Sequence, residues 1–541
     1  MVQVQRALPG LIPQLVLALG VFVADTAQAR KFYPDDPIHA LPRPIPVKDL
    51  PEWEASRLCD FLVQSVRQKP RPEVPARAIN TLGEVPDNEW FTNRHGIRRM
   101  TREELMRGPG ADLSPVAPFT VVGAKTEGIT PGFRMIDAKG RLYFIKPDPM
   151  TNPEMATAAD VIGARFFYAI GYNTPQNYLT HLKRADLKVS PKARIEGLGG
   201  KTRAMLGRDL DDILLNCPRG KDGAYRMLAS LSVPGKYVGK FRYEGTRSDD
   251  PNDTVPHEHR RDLRGLRVFC AWLNHTDAKG GNSADAVAEE NGIRFVRHYL
   301  IDFGAILGSD SDMAKNARFG NEYIIPKGRQ ALERMFLFGL DVRPWESAGY
   351  GGRKAVGRLE SRAFNPEKWK PNYPNPAFLY GLPDDEYWAA KIVTAFRDED
   401  IRSLVETGQY SDPRVVDYVT ARLVERRDKI GRVYFTKVLA LDHFRIEDGE
   451  LKFDDLAVKL GYVGRRQYQV AWARFDNETE RSSPIDGAAT FRLPREAVRA
   501  GADGYYAATI RAQGELAKVV TVYVRVGPAA PQVVGIERKW R

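Results

Sequence analysis

The spacing of apolar residues changes twice along the chain, and this change constrains the fold more than any other feature. From Phe119, the stretches "FTVVGAKT", "GFRMIDAKG" and "RLYFIKPD" alternate or run apolar between Gly-containing turns, which predicts a three-stranded meander. Residues 325–440 have mainly helical spacing, and from Leu441 the period returns to two. The sequence therefore predicts an α+β protein that ends in a separate all-β sandwich.

Two helices and a hairpin are predicted between the meander and the helical region. In "TNPEMATAADVIGARFFYAIGYNTP", Thr151 and Glu154 have capping-box spacing, Pro153 falls in the first turn and Gly171 ends the pattern. A second helical pattern, "RRDLRGLRVFCAWLNH", leads into a polar segment. Beyond that segment, Asn291-Gly292 between two strand-like runs predicts a β-hairpin.

The N-terminus has the three parts of a secretory signal peptide. Arg6 is followed by an apolar run over 11–24 and then by Ala27-Gln28-Ala29, which predicts cleavage after Ala29. The apolar run is short for a bilayer span, and an uncleaved membrane anchor is the alternative. We expect an exported protein, periplasmic or secreted, with no transmembrane segment after cleavage.

Length and charge set the remaining limits. A chain of 541 residues is too long for one core, and we predict five parts. The net charge of +12 favours anionic ligands, but no Lys/Arg run reaches five residues, so a nucleic-acid partner is not expected. The predicted parts are a signal peptide at 1–29, an extension at 30–115 that is Pro-rich and then helical from Glu52 to Gln68, a β-rich lobe at 116–255, a helical lobe at 256–440 and a β-sandwich at 441–541.

The polar segment "HTDAKGGN" and the later "YLIDFG" contain groups suited to phosphoryl transfer. That reaction needs positioned groups and neutralised charge more than covalent chemistry from the protein. Asp277 can orient an acceptor hydroxyl, while Asn282, five residues later, and Asp302 offer the oxygen ligands that magnesium prefers. Lys279 is close enough in sequence to Asp277 to reach the transferring phosphate.

These two motifs resemble those of the protein-kinase-like superfamily, H-x-D-x-K-x-x-N followed by D-F-G. The resemblance implies a two-lobed kinase-like fold with a β-rich N-lobe and a helical C-lobe. It also implies that Asp277 is the catalytic base, that His275 orients the catalytic loop and that Lys279 assists. Asn282 and Asp302 would then hold the metal, with ATP and magnesium, or manganese, as cofactors.

The segment from Phe144 to Leu179 is similar to atypical members, namely HipA-type, lipid-kinase-like and secreted-kinase-like proteins. The resemblance implies that Lys146 binds the nucleotide phosphates and that Glu154 is its partner on the helix. No G-x-G-x-x-G is present, and Gly123, Gly128 and Gly132 are a looser substitute, of which Gly128 and Gly132 would face the nucleotide. Glu154 has an alternative role as the capping-box partner of Thr151, so both roles stay open.

Taken together, these features predict an exported kinase that transfers the terminal phosphoryl group of Mg-ATP to a hydroxyl acceptor on a protein, a glycan or a small molecule. Nucleotidyl transfer, or a catalytically silent binding module, is the first alternative. The second is a secreted metal-dependent hydrolase that would use a set of histidines, although their spacing matches no zinc motif. The C-terminal domain is expected to bind protein or glycan. The histidines are His257, His259, His275 and His298.

Overall fold

The computed structural model describes residues 30–53, 72–124, 132–196, 202–325, 343–499 and 503–541. The predicted signal peptide, Gly128 and nearly all of the helix predicted from Glu52 to Gln68 lie outside these ranges. Within them, none of the helices combines the length and the apolar character needed to cross a bilayer.

A seven-stranded sheet follows the short helix α1 (Arg102–Arg107) and carries the first part of the site. The predicted meander is confirmed, since β1, β2 and β3 pair in antiparallel fashion. One face of the sheet is covered by α3 and buries a cluster that includes Phe133, Tyr143 and Leu210. The strand order is β4-β7-β3-β2-β1-β5-β6, with β1 Phe119–Ala124, β2 Phe133–Ile136, β3 Leu142–Pro147, α2 Met155–Ile170, β4 Asn177–Leu182, β5 Leu187–Glu196, β6 Thr202–Ala204, α3 Gly207–Leu215 and β7 Tyr225–Leu231.

Helix α2 is almost entirely buried and ends at Gly171, as predicted. Its start differs from the prediction. Glu154 is the N-cap residue, in a left-handed conformation with φ 69°, and its side chain makes no capping hydrogen bond. The helix therefore begins after the Thr151 position, and the predicted capping box is wrong. Pro153 lies just before the first turn instead of inside it.

Helix α4 (Arg261–Leu273) and a three-stranded sheet follow the first sheet. The predicted hairpin is confirmed: β9 (Ser283–Glu290) and β10 (Ile293–Leu300) pair across a two-residue turn. Both turn residues have positive φ, 49° at Asn291 and 76° at Gly292, as a type I′ turn requires. A strand pair was expected at 235–245, but only β8 (Lys236–Gly239) forms there, and it pairs with β9.

In the described part of the predicted helical region, residues 343–440, helices begin at Pro376. Its helices are α5 Pro376–Leu379, α6 Pro383–Ala395, α7 Asp398–Glu406 and α8 Pro413–Lys437. Residues 343–375 form turns and bends without a helix, in a stretch dense in Gly, Pro and Asn. Helices α2, α4, α6, α7 and α8 share one large hydrophobic cluster, which includes Phe166, Trp272 and Trp388.

The C-terminal residues form a hairpin, β11 (Leu441–Glu447) with β12 (Glu450–Asp455), the short α9 (Leu456–Lys459) and a five-stranded antiparallel sheet. The hairpin and the sheet share one cluster that includes Leu441, Leu451 and Trp472. A strand expected at "AATFRLP" is absent from the described residues, and a shorter edge strand forms before it. The sheet order is β14-β13-β15-β16-β17, with β13 Tyr468–Phe475, β14 Ser482–Pro484, β15 Gly504–Ala512, β16 Val519–Val526 and β17 Gln532–Lys539.

The Pro-rich residues 30–53 join the C-terminal sheet to the three-stranded sheet. Phe32 is buried against Phe475 and Tyr523 of the C-terminal sheet. Further along, the Val47 amide donates to the Arg294 carbonyl at 2.8 Å, and the Trp53 amide donates to the Val238 carbonyl at 2.9 Å. The extension is therefore a packed strap across two sheets.

A buried polar network around Asp442 ties the C-terminal domain to helix α6. The Asp442 carboxylate lies 2.6 Å from Lys391 Nζ and accepts a hydrogen bond from the Tyr387 hydroxyl at 3.0 Å. Arg538 lies 3.9 Å away, and Lys391 also pairs with Glu84. Burial alone would raise the pKa of Asp442, but the charges of Lys391 and Arg538 outweigh it and lower that pKa.

We expect Asp442→Asn to destabilise the protein by about 3–5 kcal/mol, because Lys391 and Arg538 lose the buried carboxylate that they share and Lys391 keeps only Glu84. The free energy of unfolding in urea measures this loss. Asp417→Asn, which removes an exposed carboxylate paired with Arg402, is the matched control and should cost less than about 1 kcal/mol. Equal losses in the two variants would contradict a special role for Asp442.

Candidate active site

Lys146 joins the first sheet to the loop after the hairpin. On β3, Tyr143 and Ile145 point into the buried cluster, so Lys146 points to the opposite face. Its Nζ donates to Asp302 Oδ1 at 2.6 Å and to Asp160 Oδ2 at 3.3 Å. Burial would lower the pKa of Lys146, but these two carboxylates outweigh it and raise that pKa, so the amine stays charged.

The helix carboxylate beside Lys146 is Asp160, not Glu154. Asp160 is 1% exposed, and its Oδ1 also accepts hydrogen bonds from Asn177 Nδ2 at 2.8 Å and from the Phe303 amide at 3.3 Å. Glu154 stands six residues earlier, about 9 Å along the helix axis, where its carboxylate accepts from the Ser411 amide at 3.0 Å. Asp160 therefore takes the place that was expected for Glu154 as the partner of Lys146. Glu154 therefore has neither of the two roles that were left open for it, the partner of Lys146 or the capping-box partner of Thr151.

Asp302 is placed by the packing of the residue that follows it. Its backbone is left-handed, with φ 63°, and the next side chain, Phe303, stacks on Phe167 of α2 with ring centroids 5.1 Å apart. Gly163 makes this packing possible, because a Cβ there would lie 2.6 Å from the Phe303 Cβ. The Asp302 carboxylate is thereby turned towards Lys146.

The hairpin brings Asn282 next to Asp302, as the sequence suggested. Ser283 pairs with Leu300 at the base of the hairpin, and the Ile301 amide donates to the Asn282 carbonyl at 3.1 Å. These contacts put Asn282, which precedes β9, level with the residues that follow β10.

Asp277 is held by two residues that follow it in the same loop. Asn282 Nδ2 donates to Asp277 Oδ2 at 2.9 Å and to its carbonyl at 3.0 Å, and Lys279 Nζ lies 2.8 Å from Asp277 Oδ1. Lys146, Asp277, Asn282 and Asp302 therefore lie together. Asn282 is hydrogen-bonded to Asp277, the hairpin contact places Asn282 beside Asp302, and Asp302 forms an ion pair with Lys146.

The donor set fits a hard divalent cation. Mg²⁺ and Mn²⁺ prefer oxygen ligands, which the Asp302 carboxylate and the Asn282 amide oxygen supply. Both hydrogen bonds from the Asn282 side chain to Asp277 use Nδ2, so Oδ1 takes no part in them. These two residues would hold the metal.

His275 lies behind the loop as a buried support. Its ring packs between Phe167 and Phe303, with centroid distances of 5.8 and 6.0 Å, and it is 5% exposed. Burial lowers the pKa of His275 to about 4, although Asp277 opposes this shift. The imidazole is neutral at pH 7 and supports the positions of the Asp277 and Asp302 loops.

One of the two expected glycines lies beside the cluster. Phe133 pairs with Ile145, so Gly132, just before β2, comes level with Lys146 on the neighbouring strand. Gly132 is buried at this position. Gly128 lies outside the described residues.

Two buried ionisable residues near the site were missed in the sequence. Asp160 had a signal, since an acidic residue in the apolar "ATAADVIGARFF" must find a partner if the helix is buried. Lys315 had none. Its Nζ donates to the Ala305 carbonyl at 2.8 Å and to the Ser309 carbonyl at 2.6 Å, and burial lowers its pKa to about 8. It closes the loop that follows Asp302.

The other histidines of the metal-hydrolase alternative have protein partners. His257 Nε2 lies 2.8 Å from Asp253, and His298 Nδ1 lies 2.8 Å from Asp285. His298 also stacks on Trp90, with centroids 3.6 Å apart. Across the described ranges, no three or more His, Cys, Asp or Glu side chains are grouped so that they could hold a metal ion.

Comparison with known proteins gives distant structural similarity only. No family model matches the chain, and no curated protein matches it. A solved structure of a proinflammatory kinase, CtkA, from Helicobacter pylori is 11% identical, with a TM-score of 0.30, and the match covers 58% of this chain and 93% of that one.

Two structures of the Golgi casein kinase also match. One is 9% identical over 62% of this chain and 75% of that chain, with a TM-score of 0.28. The other, with Mn/ADP bound, is 8% identical over 64% and 84%, with a TM-score of 0.29. At such TM-scores the overlap is small, and the function proposed below rests on the residues of the site.

The buried His275 predicts a pH dependence of stability. Its pKa is about 4 in the folded protein and about 6.5 when unfolded, so the unfolded chain binds the proton more tightly. The resulting stability is complete above pH 6.5 and is lost as pH falls towards 4, by up to about 3 kcal/mol.

The free energy of unfolding, measured from pH 7 to pH 4, should therefore fall less steeply in His275→Gln than in the wild type. His39→Gln, at an exposed histidine, is the control and should keep the wild-type slope. A wild-type slope in His275→Gln would show that this histidine does not titrate as a buried group.

Proposed function

We propose that the protein is a kinase-like phosphotransferase that moves the terminal phosphoryl group of a nucleoside triphosphate to a hydroxyl acceptor. One observation carries the proposal: Lys146 bonds to Asp302 across 156 positions of sequence, beside an Asn282 that is itself bonded to Asp277. The two-lobed kinase-like layout and the assignment of ATP with Mg²⁺ or Mn²⁺ belong to the same proposal.

Each group has a distinct task in this reaction. Asp277 orients the acceptor hydroxyl and takes its proton as the new oxygen–phosphorus bond forms. The bond between the transferred phosphorus and the bridging oxygen breaks, and the nucleoside diphosphate leaves. Lys146 neutralises charge on the phosphates, and Lys279, 44% exposed beside Asp277, can reach the transferring group. When bound, the divalent cation would neutralise phosphate charge, held by Asn282 and Asp302.

Export is also part of the proposal and is supported by the signal-like pattern of residues 1–29. A protein acting outside the cytoplasm would meet acceptors on secreted proteins, glycans or small molecules. The C-terminal domain, packed on α6 through Asp442, is proposed as an accessory domain that binds one of the first two.

The assignment of metal ligand and base can be tested by two substitutions. Asp302→Ala should abolish the increase in melting temperature that Mg-ATP causes, because a metal ligand is lost. Asp277→Ala should keep that increase but slow transfer by roughly 10²–10⁴-fold, since only the base is removed. Asp417→Ala, at an exposed position on α8, is the control for both measurements.

Mass spectrometry of the protein and candidate acceptors then identifies the reaction. Added phosphate supports the proposal, added AMP would replace it by nucleotidyl transfer, and no modification with intact binding would indicate a silent binding module. Normal turnover by Asp277→Ala would remove Asp277 from the role of base.

The partner of Lys146 can be tested separately. Asp160→Asn removes one of the two carboxylates beside Lys146 and should weaken Mg-ATP binding by about 10-fold or more, measured by calorimetry. Glu154→Gln changes a side chain that contacts Ser411 instead and should leave the affinity within about 2-fold. A larger effect from Glu154→Gln would assign the role to Glu154.

A further inference from the structure

We propose that Arg134 and Arg194 form a clamp for the oligophosphate of the bound nucleotide, in place of the missing glycine-rich loop. This inference rests on the proposed function and assigns two residues that the motifs did not include. The register of the first sheet puts both arginines on the face from which Lys146 reaches Asp302.

Alternation along the strands identifies that face. Phe133 and Met135 on β2, Val121 on β1 and Ala193 on β5 all point into the buried cluster under α3. Their neighbours Arg134 and Arg194 therefore point the opposite way, as Lys146 does on β3. Both arginines are exposed.

Pairing across the strands then places the two arginines side by side. Gly123 pairs with Arg134 on one side and with Arg194 on the other. The Arg134 guanidinium lies over Gly123, since a Cβ at Gly123 would be 2.9 Å from Arg134 Nη2. The two backbones are two strand spacings apart, about 10 Å, which two arginine side chains can bridge.

The clamp adjoins the active site. Arg134 pairs with Phe144, two residues before Lys146 on the same face, so Arg134 is a diagonal neighbour of Lys146 at about 7–8 Å between Cα atoms. Gly132 and Gly123, which are both buried, lie between them and contribute no side chain. Lys146, Arg134 and Arg194 thus lie on one face of the sheet, the face from which Lys146 reaches Asp302.

The charges suit an oligophosphate. Within the described ranges, neither arginine forms an ion pair with a carboxylate, so both guanidinium groups can bind an anionic ligand. Guanidinium groups bind phosphate oxygens in a bidentate manner, more strongly than a neutral backbone loop does. A nucleoside triphosphate lying from Asp302 towards β5 would place its phosphates against both groups.

The test compares Mg-ATP with Mg-tripolyphosphate, which has the phosphates but no nucleoside. Calorimetry should show about 10-fold weaker binding of both ligands to Arg134→Gln and to Arg194→Gln, with a larger loss in the double variant. Arg208→Gln, an exposed arginine at α3 on the opposite face of the sheet, makes the same change in net charge and should bind both ligands as the wild type does. Thermal unfolding without ligand checks that all variants are folded.

The outcomes separate the clamp from the proposed function. If the wild type binds Mg-ATP and the double variant binds it equally well, the clamp is wrong and the phosphotransferase proposal stands. The clamp is also wrong if Arg208→Gln loses as much affinity, or if the double variant loses ATP but keeps tripolyphosphate. Failure of the wild type to bind either ligand would overturn both proposals.

Discussion

The ion pairs of Lys146 with Asp160 and Asp302 are the interactions on which the rest of the site depends. Burying three charged side chains is costly unless each is paired and hydrogen-bonded. Asp160 meets this condition through Asn177 and the Phe303 amide, while Asp302 keeps 36% of its side chain exposed. One cation between two carboxylates leaves a net negative charge. The exposed carboxylate is therefore the one available to a metal ion.

For this pairing to persist, helix α2 must keep its position against both the sheet and the helical region. Glu154, at the start of α2, accepts from the Ser411 amide, and Arg226 on β7 donates to the Gln409 and Gly408 carbonyls at 2.7 and 2.6 Å. These contacts attach α2 and β7 to the loop between α7 and α8. The glutamate expected beside Lys146 thus secures the helix that carries Asp160.

The C-terminal domain is also packed into this framework. Asp442 links it to α6 through Lys391. The strap that carries Phe32 runs from its sheet to the three-stranded sheet, which contains the hairpin that follows Asn282. Sequence patterns predicted β13, β15, β16 and β17 of this domain because alternation is a local property. They did not predict the strap, because a Pro-rich segment has no period and its packing depends on distant surfaces.

The sequence alone determined the meander, the hairpin at Asn291-Gly292 and the polar groups flanking it, because strand alternation, turn chemistry and motif spacing act over a few residues. Asp277 and Asn282 were predicted together for this reason. Tertiary structure alone decided that Asp160 would replace Glu154 and that Lys315 would close the Asp302 loop. The first outcome depends on the position of helix α2 along the sheet. The second depends on which carbonyl groups the folded loop directs at the Lys315 amine. Both are set by packing between segments that are remote in sequence, and no local sequence pattern contains that information.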